Sequence, residues 1–438
     1  MEIDKTTYED LSIFNHEEEF SIFQKFDFTR TLGGRHWLKH YFHNPFSDLK
    51  HIRETQHILS LFLERAGDWP PGISNGTIMV MERFYETALD KIPESNDLLN
   101  AVFYKLFHGP DYSLTRYSVG HFADFIRGMH SLIELFDTDK SPPLLRSYLQ
   151  RARILLNHEI IHTIRQKDPA ATLSIGQVVY FGNFVRNRFK NAVQELIDIH
   201  GRLDAWYAMA TATRELKLCF PVFVEQQEPL LDARNLYHIL LPEPVAYDIV
   251  MKRQSNFLFL TGANMAGKST FIKAIGTSVY LAHLGLGVPA SDMRLSLFDG
   301  ILSNINVVDN IAKGESYFFN EVKRIKDTII KINDNRKWLV LIDELFKGTN
   351  VLDAMKCSST VIKGLIKIQS SLFILSTHLY EIGEELKDYS NISFKYFETS
   401  VEGDQLFFSY QLNDGISNDR LGYLILVREK VVEMLAKL

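Results

Sequence analysis

The stretch Phe257-Leu258-Phe259-Leu260-Thr261-Gly262-Ala263-Asn264-Met265-Ala266-Gly267-Lys268-Ser269-Thr270 decides the fold. Its apolar opening, Phe257 to Leu260, predicts a short buried strand, and a helix is expected to begin at Gly267-Lys268-Ser269-Thr270. Between them lies G-x-x-x-x-G-K-[ST], the order of a phosphate-binding loop. Glycines let the backbone curl so that successive N–H groups point at an anion, and the helix N-terminus adds partial positive charge. On this reading the backbone of Gly262, Ala263, Asn264, Met265, Ala266, Gly267, Lys268, Ser269 and Thr270 cradles a nucleotide's phosphates. Lys268 reaches the β- and γ-phosphates, and the Ser269 hydroxyl ligates Mg²⁺. The competing reading is a Gly-rich turn that binds nothing, so other strand ends must decide.

Two of them do. Trp338-Leu339-Val340-Leu341-Ile342 is a continuous apolar run ending in Asp343-Glu344. A buried parallel strand delivers its last residues into the crevice where α/β folds bind ligands. Asp343 is placed there to hold Mg²⁺ and Glu344 to activate the attacking water. Ser371 to Ser376 reads as a third strand, followed by Thr377-His378, and His378 suits a sensor of the γ-phosphate. Between loop and carboxylates, Gly314-Glu315-Ser316-Tyr317-Phe318-Phe319-Asn320-Glu321 opens a helix, with Ser316 in its first turn. One nucleotide does not need two such helix starts. Two chains packed head to tail would each supply one, so Ser316 is expected to act in trans on ATP bound to a second copy.

The rest of the 438-residue chain is long enough for two or three domains. Before about Pro221 it reads as helical, with apolar-periodic segments at 78–89, 97–107, 117–136 and 144–164, and Ser47 as an N-cap. Residues 175–218 read as one helix of roughly 60 Å, an arm rather than a core element. After Pro221 short β-type runs appear (222–224, 237–241, 257–260) and then alternate with helices, the pattern of an α/β domain with a largely parallel sheet. The boundary is placed near residue 225.

A net charge of −6 argues against a chain wholly devoted to coating nucleic acid. Two cysteines without metal-ligand spacing suit a reducing compartment. An acidic N-terminus and no sufficiently apolar span imply a cytoplasmic protein without a membrane partner. Arg151, Arg153, Arg186, Arg188 and Lys190 form a basic series that reads either as phosphate-tracking or as a solvated face. His158-Glu159-Ile160-Ile161-His162 is an H-E-x-x-H, which on a helix sets two imidazoles on one face as in zinc peptidases, with Glu195 as the remaining ligand candidate.

T-G-A-N-M-A-G-K-S-T closely resembles the T-G-P-N-M-G-G-K-S-T loop of the MutS DNA mismatch-repair ATPases, whose loops belong to the ABC-type class. G-E-S-Y-F-F-N-E is similar to that family's G-R-S-T-F-x-x-E signature helix, keeping Gly314, Ser316, Phe318 and Glu321. D-E-L-F-K-G-T-N-V-L-D resembles its D-E-x-G-R-G-T-x-x-x-D segment, with Phe346 and Lys347 in place of Gly-Arg, and S-T-H at 376–378 resembles its A-T-H. The stretch from Phe26 to Asp48 looks like the start of the family's core, or lever, domain, and I-H-G-R-L-D-A-W, around Asp204, looks like the return lever helix.

The resemblance implies an ABC-type α/β P-loop NTPase domain over 226–438 (domain V-like), preceded by an all-α lever domain over 1–225 (domain III-like). It further implies ATP hydrolysis with Mg²⁺, a head-to-tail homodimer, and double-stranded or branched DNA as candidate ligand in DNA repair or recombination. Departures narrow this. The N-terminal mismatch-binding and connector domains are expected to be absent, and the short turn near 166–173 leads to the same expectation for the DNA clamp. Asn418 and Arg420 replace serines of the family's C-terminal P-G-x-x-S-x-S-Y-G segment, and the helix-turn-helix beyond it is expected to be absent. The expectation is therefore an ATPase without specific mismatch reading. The alternatives are an ATP-dependent dimerisation switch acting on proteins and, more remotely, the zinc peptidase.

Overall fold

The protein is described here from a computed structural model covering residues 1–15, 17, 20–94, 97–166, 173–306, 317–402, 405–417 and 430–435. Two compact units are present, one of 1–25, 44–52 and 215–438, the other of 26–43 and 53–214.

In the first unit, β1 (Glu2–Ile3) and α1 (Lys5–Asp10) open the chain, followed by α2 (Ile22–Phe26). The second unit carries α3 (Leu32–His43), α4 (Leu49–Arg65, begun in the first unit), α5 (Asn75–Glu86), α6 (Leu98–Phe107), α7 (Gly109–Phe136), α8 (Pro143–Leu156), α9 (Glu159–Gln166), α10 (Ile175–Asn187) and α11 (Lys190–Glu215). Its described residues contain no strand.

The first unit resumes with β2 (Val222–Phe223), β3 (Leu230–Leu236), β4 (Tyr247–Lys252), β5 (Phe257–Thr261), α12 (Lys268–His283), β6 (Asp292–Leu295) and β7 (Gly300–Asn304). After these come α13 (Tyr317–Ile332), β8 (Trp338–Asp343), α14 (Val351–Leu365), β9 (Leu372–Ser376), α15 (Tyr380–Leu386), β10 (Ile392–Glu402) and β11 (Gln405–Asp414). The main sheet runs β1-β7-β8-β9-β5-β10-β11, parallel except for the β10–β11 pair. Its central strands β5, β8 and β9 are buried along almost their whole length, which is why they read as unbroken apolar runs. A smaller sheet, β2-β6-β3-β4, lies in the same unit.

Several sequence expectations are corrected. The opening residues 1–25 group with the second half of the chain, because Glu2 and Ile3 pair with Gly300 and Ile301 of β7. Asp10, only 1% exposed, accepts from the backbone N–H of Ile305 and Asn306 (3.0 Å each) and from the Ser303 hydroxyl (2.5 Å). Residues 237–241 are not a strand: β3 ends at Leu236, after Asn235 adopts φ +50°. The N-cap of α4 is Asp48, whose carboxylate accepts from His51 N–H (3.0 Å), one residue beyond Ser47.

The expected 175–218 helix is two helices. At the break Arg188 and Phe189 both donate to the Phe184 carbonyl (2.9 and 3.1 Å), and the buried Phe189 ring stacks on Phe184 at 5.4 Å. Neither half is an arm. In α11 every residue from Leu203 to Thr213 is buried, among them Trp206 and Tyr207, so this is a central helix of its unit. Asp204 anchors it. Its carboxylate accepts from Arg30 N–H (3.0 and 3.1 Å), Thr31 N–H (2.8 Å) and the Thr31 hydroxyl (2.6 Å). Gly34 leaves the space, since a Cβ there would sit 2.1 Å from Asp204 Oδ2.

Candidate nucleotide site

The loop after β5 turns through two left-handed glycines, Gly262 at φ +140° and Gly267 at +105°, with Met265 at +68° between them. Gly262 also passes close to Phe397 of β10: a Cβ would meet its backbone at 3.2 Å, so only glycine fits without displacing that strand. Lys268 opens α12 and is 5% exposed; its Nζ donates to the carbonyls of Gly262 (2.8 Å) and Ala263 (2.9 Å). Burial lowers its pKa to about 8, against the opposing pull of the Glu344 and Asp343 carboxylates.

Because β8, β9 and β5 are parallel neighbours, their C-terminal ends deliver their groups to this loop. Asp343 closes β8 and accepts from two hydroxyls, Ser269 on Oδ2 and Ser376 on Oδ1. Glu344 follows at φ +64°, its N–H donating to Ser376 O (2.9 Å). His378 Nε2 meets Glu344 Oε1 at 2.5 Å, and Lys347 Nζ meets Oε2 at 3.1 Å. Burial pushes this carboxyl up, but the His378 hydrogen bond and the charges of His378 and Lys347 outweigh it and hold the pKa at about 2. The cavity over these groups, about 430 Å³, opens toward His238, Leu241, Val245, Tyr247 and Tyr410.

Lys268, Ser269, Asp343, Glu344 and His378 are thus brought together at the ends of β5, β8 and β9. Ser316, with Gly314 and Glu315, lies outside the described residues, as do Asn418, Arg420 and most of the turn between α9 and α10. Three supporting residues carry no role in the sequence reading. Ser376 is simply the last residue of an apolar strand. Lys347 departs from the family segment, yet it holds one oxygen of Glu344. Glu321, on α13 and 4% exposed, accepts from the backbone N–H of Lys347 (3.1 Å) and Gly348 (3.2 Å), tying that helix to the turn after the carboxylates. In the same turn Phe346 holds φ +62° and packs its buried ring 5.7 Å from Phe318. A left-handed non-glycine residue costs on the order of 1 kcal/mol, and burial of the Phe346 ring is what offsets it.

Other candidates fare differently. His158 is not on α9. It precedes the helix, its Nδ1 accepts from Ile160 N–H (3.2 Å), and its ring lies against Phe184 at 4.6 Å. Glu195 forms a two-pronged pair with Arg151 (2.6 and 2.8 Å), so H-E-x-x-H and Glu195 do not assemble a zinc site. The basic series is also engaged. Arg153 pairs with Asp137 (2.5 Å), Arg188 with Glu94 (3.8 Å), Arg186 donates to the Phe84 and Thr87 carbonyls, and Lys190 lies over the Tyr85 ring at 5.6 Å. Among the described residues no helix is long and apolar enough to cross a membrane.

Residues 258–434 match the MutS domain V family. The chain is 26% identical over 395 residues to the DNA mismatch repair protein MutS of Thermotoga petrophila, covering 86% of this chain and 48% of that protein. It is 31% identical over 232 residues to the MutS of Pseudothermotoga lettingae (52% and 28% covered). To the DNA mismatch repair protein spellchecker 1 of Drosophila melanogaster it is 32% identical over 171 residues (39% and 18%). The chain therefore spans about half or less of the length of these curated relatives.

Proposed function

We propose, on the premise that the chain carries a MutS domain V and in that part belongs to the MutS family, that it hydrolyses Mg·ATP, closes head to tail with a second copy around the nucleotide, and works in DNA repair or recombination without reading mismatches. The observation that carries the catalytic part is the convergence of Lys268, Ser269, Asp343, Glu344 and His378 at the ends of three adjacent parallel strands. The donor set fits the nucleotide. A buried ammonium already bonded to two carbonyls marks a phosphate-sized anion site, and hydroxyl and carboxylate oxygens suit a hard divalent ion.

Lys268 and the loop N–H groups hold the β- and γ-phosphates. Ser269 and Asp343 hold the magnesium ion, with Ser376 fixing the Asp343 rotamer. The bound ion neutralises charge on the phosphate oxygens. Glu344 takes a proton from the attacking water as its oxygen bonds to the γ-phosphorus and the bond to the β–γ bridging oxygen breaks. His378 orients that carboxylate and contacts the γ-phosphate, and Ser316 of one copy reaches the nucleotide of the other. Glu344→Ala should still bind ATP and show, by light scattering, ATP-dependent association beyond its nucleotide-free state; undiminished turnover would overturn the assignment.

One observation favours a second reading, a switch acting on protein partners with no DNA role: Arg151, Arg153, Arg186, Arg188 and Lys190 are already paired or packed. Salt titration of duplex and branched DNA binding separates the two. Phosphate contacts give an affinity that falls steeply with salt, and binding that is absent at low salt would leave the switch.

A further inference from the structure

Helix α6, L-L-N-A-V-F-Y-K-L-F, turns most of its apolar surface outward. Only Ala101 and Tyr104 are buried on its inner side, where it packs on α7 and α10. Leu98 (61%), Leu99 (70%), Phe103 (57%), Leu106 (71%) and Phe107 (76%) are exposed, and the rings of Phe103 and Phe107 stack on each other at 6.1 Å. At on the order of 100 Å² each, these five present roughly 500 Å² of contiguous apolar surface, near the upper end for the largest patch of a monomeric protein. Beside them runs a groove of about 710 Å³ lined by Lys105, Tyr112, Arg116, Tyr117, His121 and Asp124, in which Tyr117 is 59% exposed. An apolar centre bordered by Tyr, Arg and mixed charges is the composition of a protein interface.

We propose that this face binds a second copy of the same chain, α6 against α6, antiparallel about a two-fold axis. Two such faces with their Tyr117 rims remove roughly 1,200 Å² from water, the lower bound for a specific dimer. Charge favours the antiparallel arrangement. Asp97 caps the N-terminus of α6, accepting from Leu99 N–H (3.2 Å), and Lys105 stands in its last turn. Antiparallel pairing brings Asp97 of one helix toward Lys105 of the other, beside its Asp90–His108 pair (2.7 Å), and opposes the two helix dipoles. In this register Leu98 of one copy faces Phe107 of the other, Leu99 faces Leu106, and the two Phe103 rings lie beside the axis. An anionic lipid surface is the poorer match, because Asp97 caps one end of α6, Asp90 and Asp111 gather around His108 at the other, and Asp124 lies in the groove with Lys105 and Arg116. No residue of the nucleotide site takes part, so this dimer forms without ATP.

The test is sedimentation velocity of the full chain without nucleotide. Wild type should run as a dimer at micromolar concentration, and so should Lys268→Ala. Phe103→Glu combined with Leu106→Glu should be monomeric with an unchanged circular dichroism spectrum. Phe107→Lys alone should weaken the dimer at least tenfold, and Phe103→Cys should yield a disulfide-linked dimer on mild oxidation that wild type does not. A monomeric wild type overturns the proposal. So does a dimer that survives all the α6 changes, or one that appears only with ATP. Binding of the monomer to anionic vesicles, lost in the double variant, would assign the face to lipid instead.

Discussion

Two buried carboxylates, one in each unit, are treated in opposite ways. Asp204 in the helical unit is fully buried and hydrogen-bonded only by neutral donors, two backbone N–H groups and a hydroxyl, and its pKa is raised because burial outweighs these bonds and the charge of Arg30. Glu344 in the nucleotide unit is part-buried and held between Lys347 and His378, at a pKa of about 2. The first arrangement gives both oxygens a donor and fixes a helix. The second keeps a charged carboxylate at the mouth of a cavity, on a backbone at φ +64° that nothing in secondary structure requires. Satisfaction by neutral dipoles marks structure; ionisation enforced by cations beside a phosphate loop marks chemistry.

The largest effect should come from breaking the second arrangement. Glu344→Gln should lower ATP turnover by about 10²- to 10⁴-fold, the usual contribution of a positioned base, with a thermal midpoint close to wild type. Asp204→Ala should do the reverse, costing about 3 kcal/mol in urea unfolding because Thr31 and two N–H groups lose their acceptor. If both variants lost stability alike, the distinction would fail.

The helical unit also holds His200, fully buried between Trp69 and Phe125, with neither ring nitrogen partnered among the described residues. Burial lowers its pKa to about 4, below its unfolded value near 6.5. The unfolded chain takes up the proton first, so this contribution to stability is complete above about pH 6.5 and is lost as pH falls toward 4. The loss is on the order of 3 kcal/mol. His200→Leu should flatten that limb of a pH series of thermal midpoints.

Lys268 gives the counterpart in the nucleotide unit. Phosphate binding requires its charged form, so ATP affinity should hold up to about pH 8 and then fall by up to tenfold per pH unit. Calorimetry in buffers of different ionisation heat should record proton uptake between pH 8 and 9; none would detach Lys268 from the phosphates. The smallest effect belongs to Lys347→Ala. Losing one of two cations near Glu344 should move the acid limb of the pH–rate profile upward by about half a unit, with the rate at neutral pH within about threefold.

The sequence by itself determined the nucleotide loop, the strand ending in Asp343-Glu344, the strand ending before His378, and the helical character of the first half. Each is a local pattern. An unbroken apolar run is what a strand buried on both faces requires, and loop chemistry fixes glycine and lysine at set offsets. The remaining features depend on packing between residues that lie far apart in the chain. Asp10 and β1 join the far half of the molecule through bonds to residues almost three hundred positions away. Glu321 takes the amides that follow Glu344. A ring stack, Phe189 on Phe184, splits what periodicity reads as one helix. Periodicity reports which face of an element is buried and says nothing about which distant residue covers it, so the partners of Glu344 and of Asp204, and the exposure of the outward face of α6, had to come from the fold.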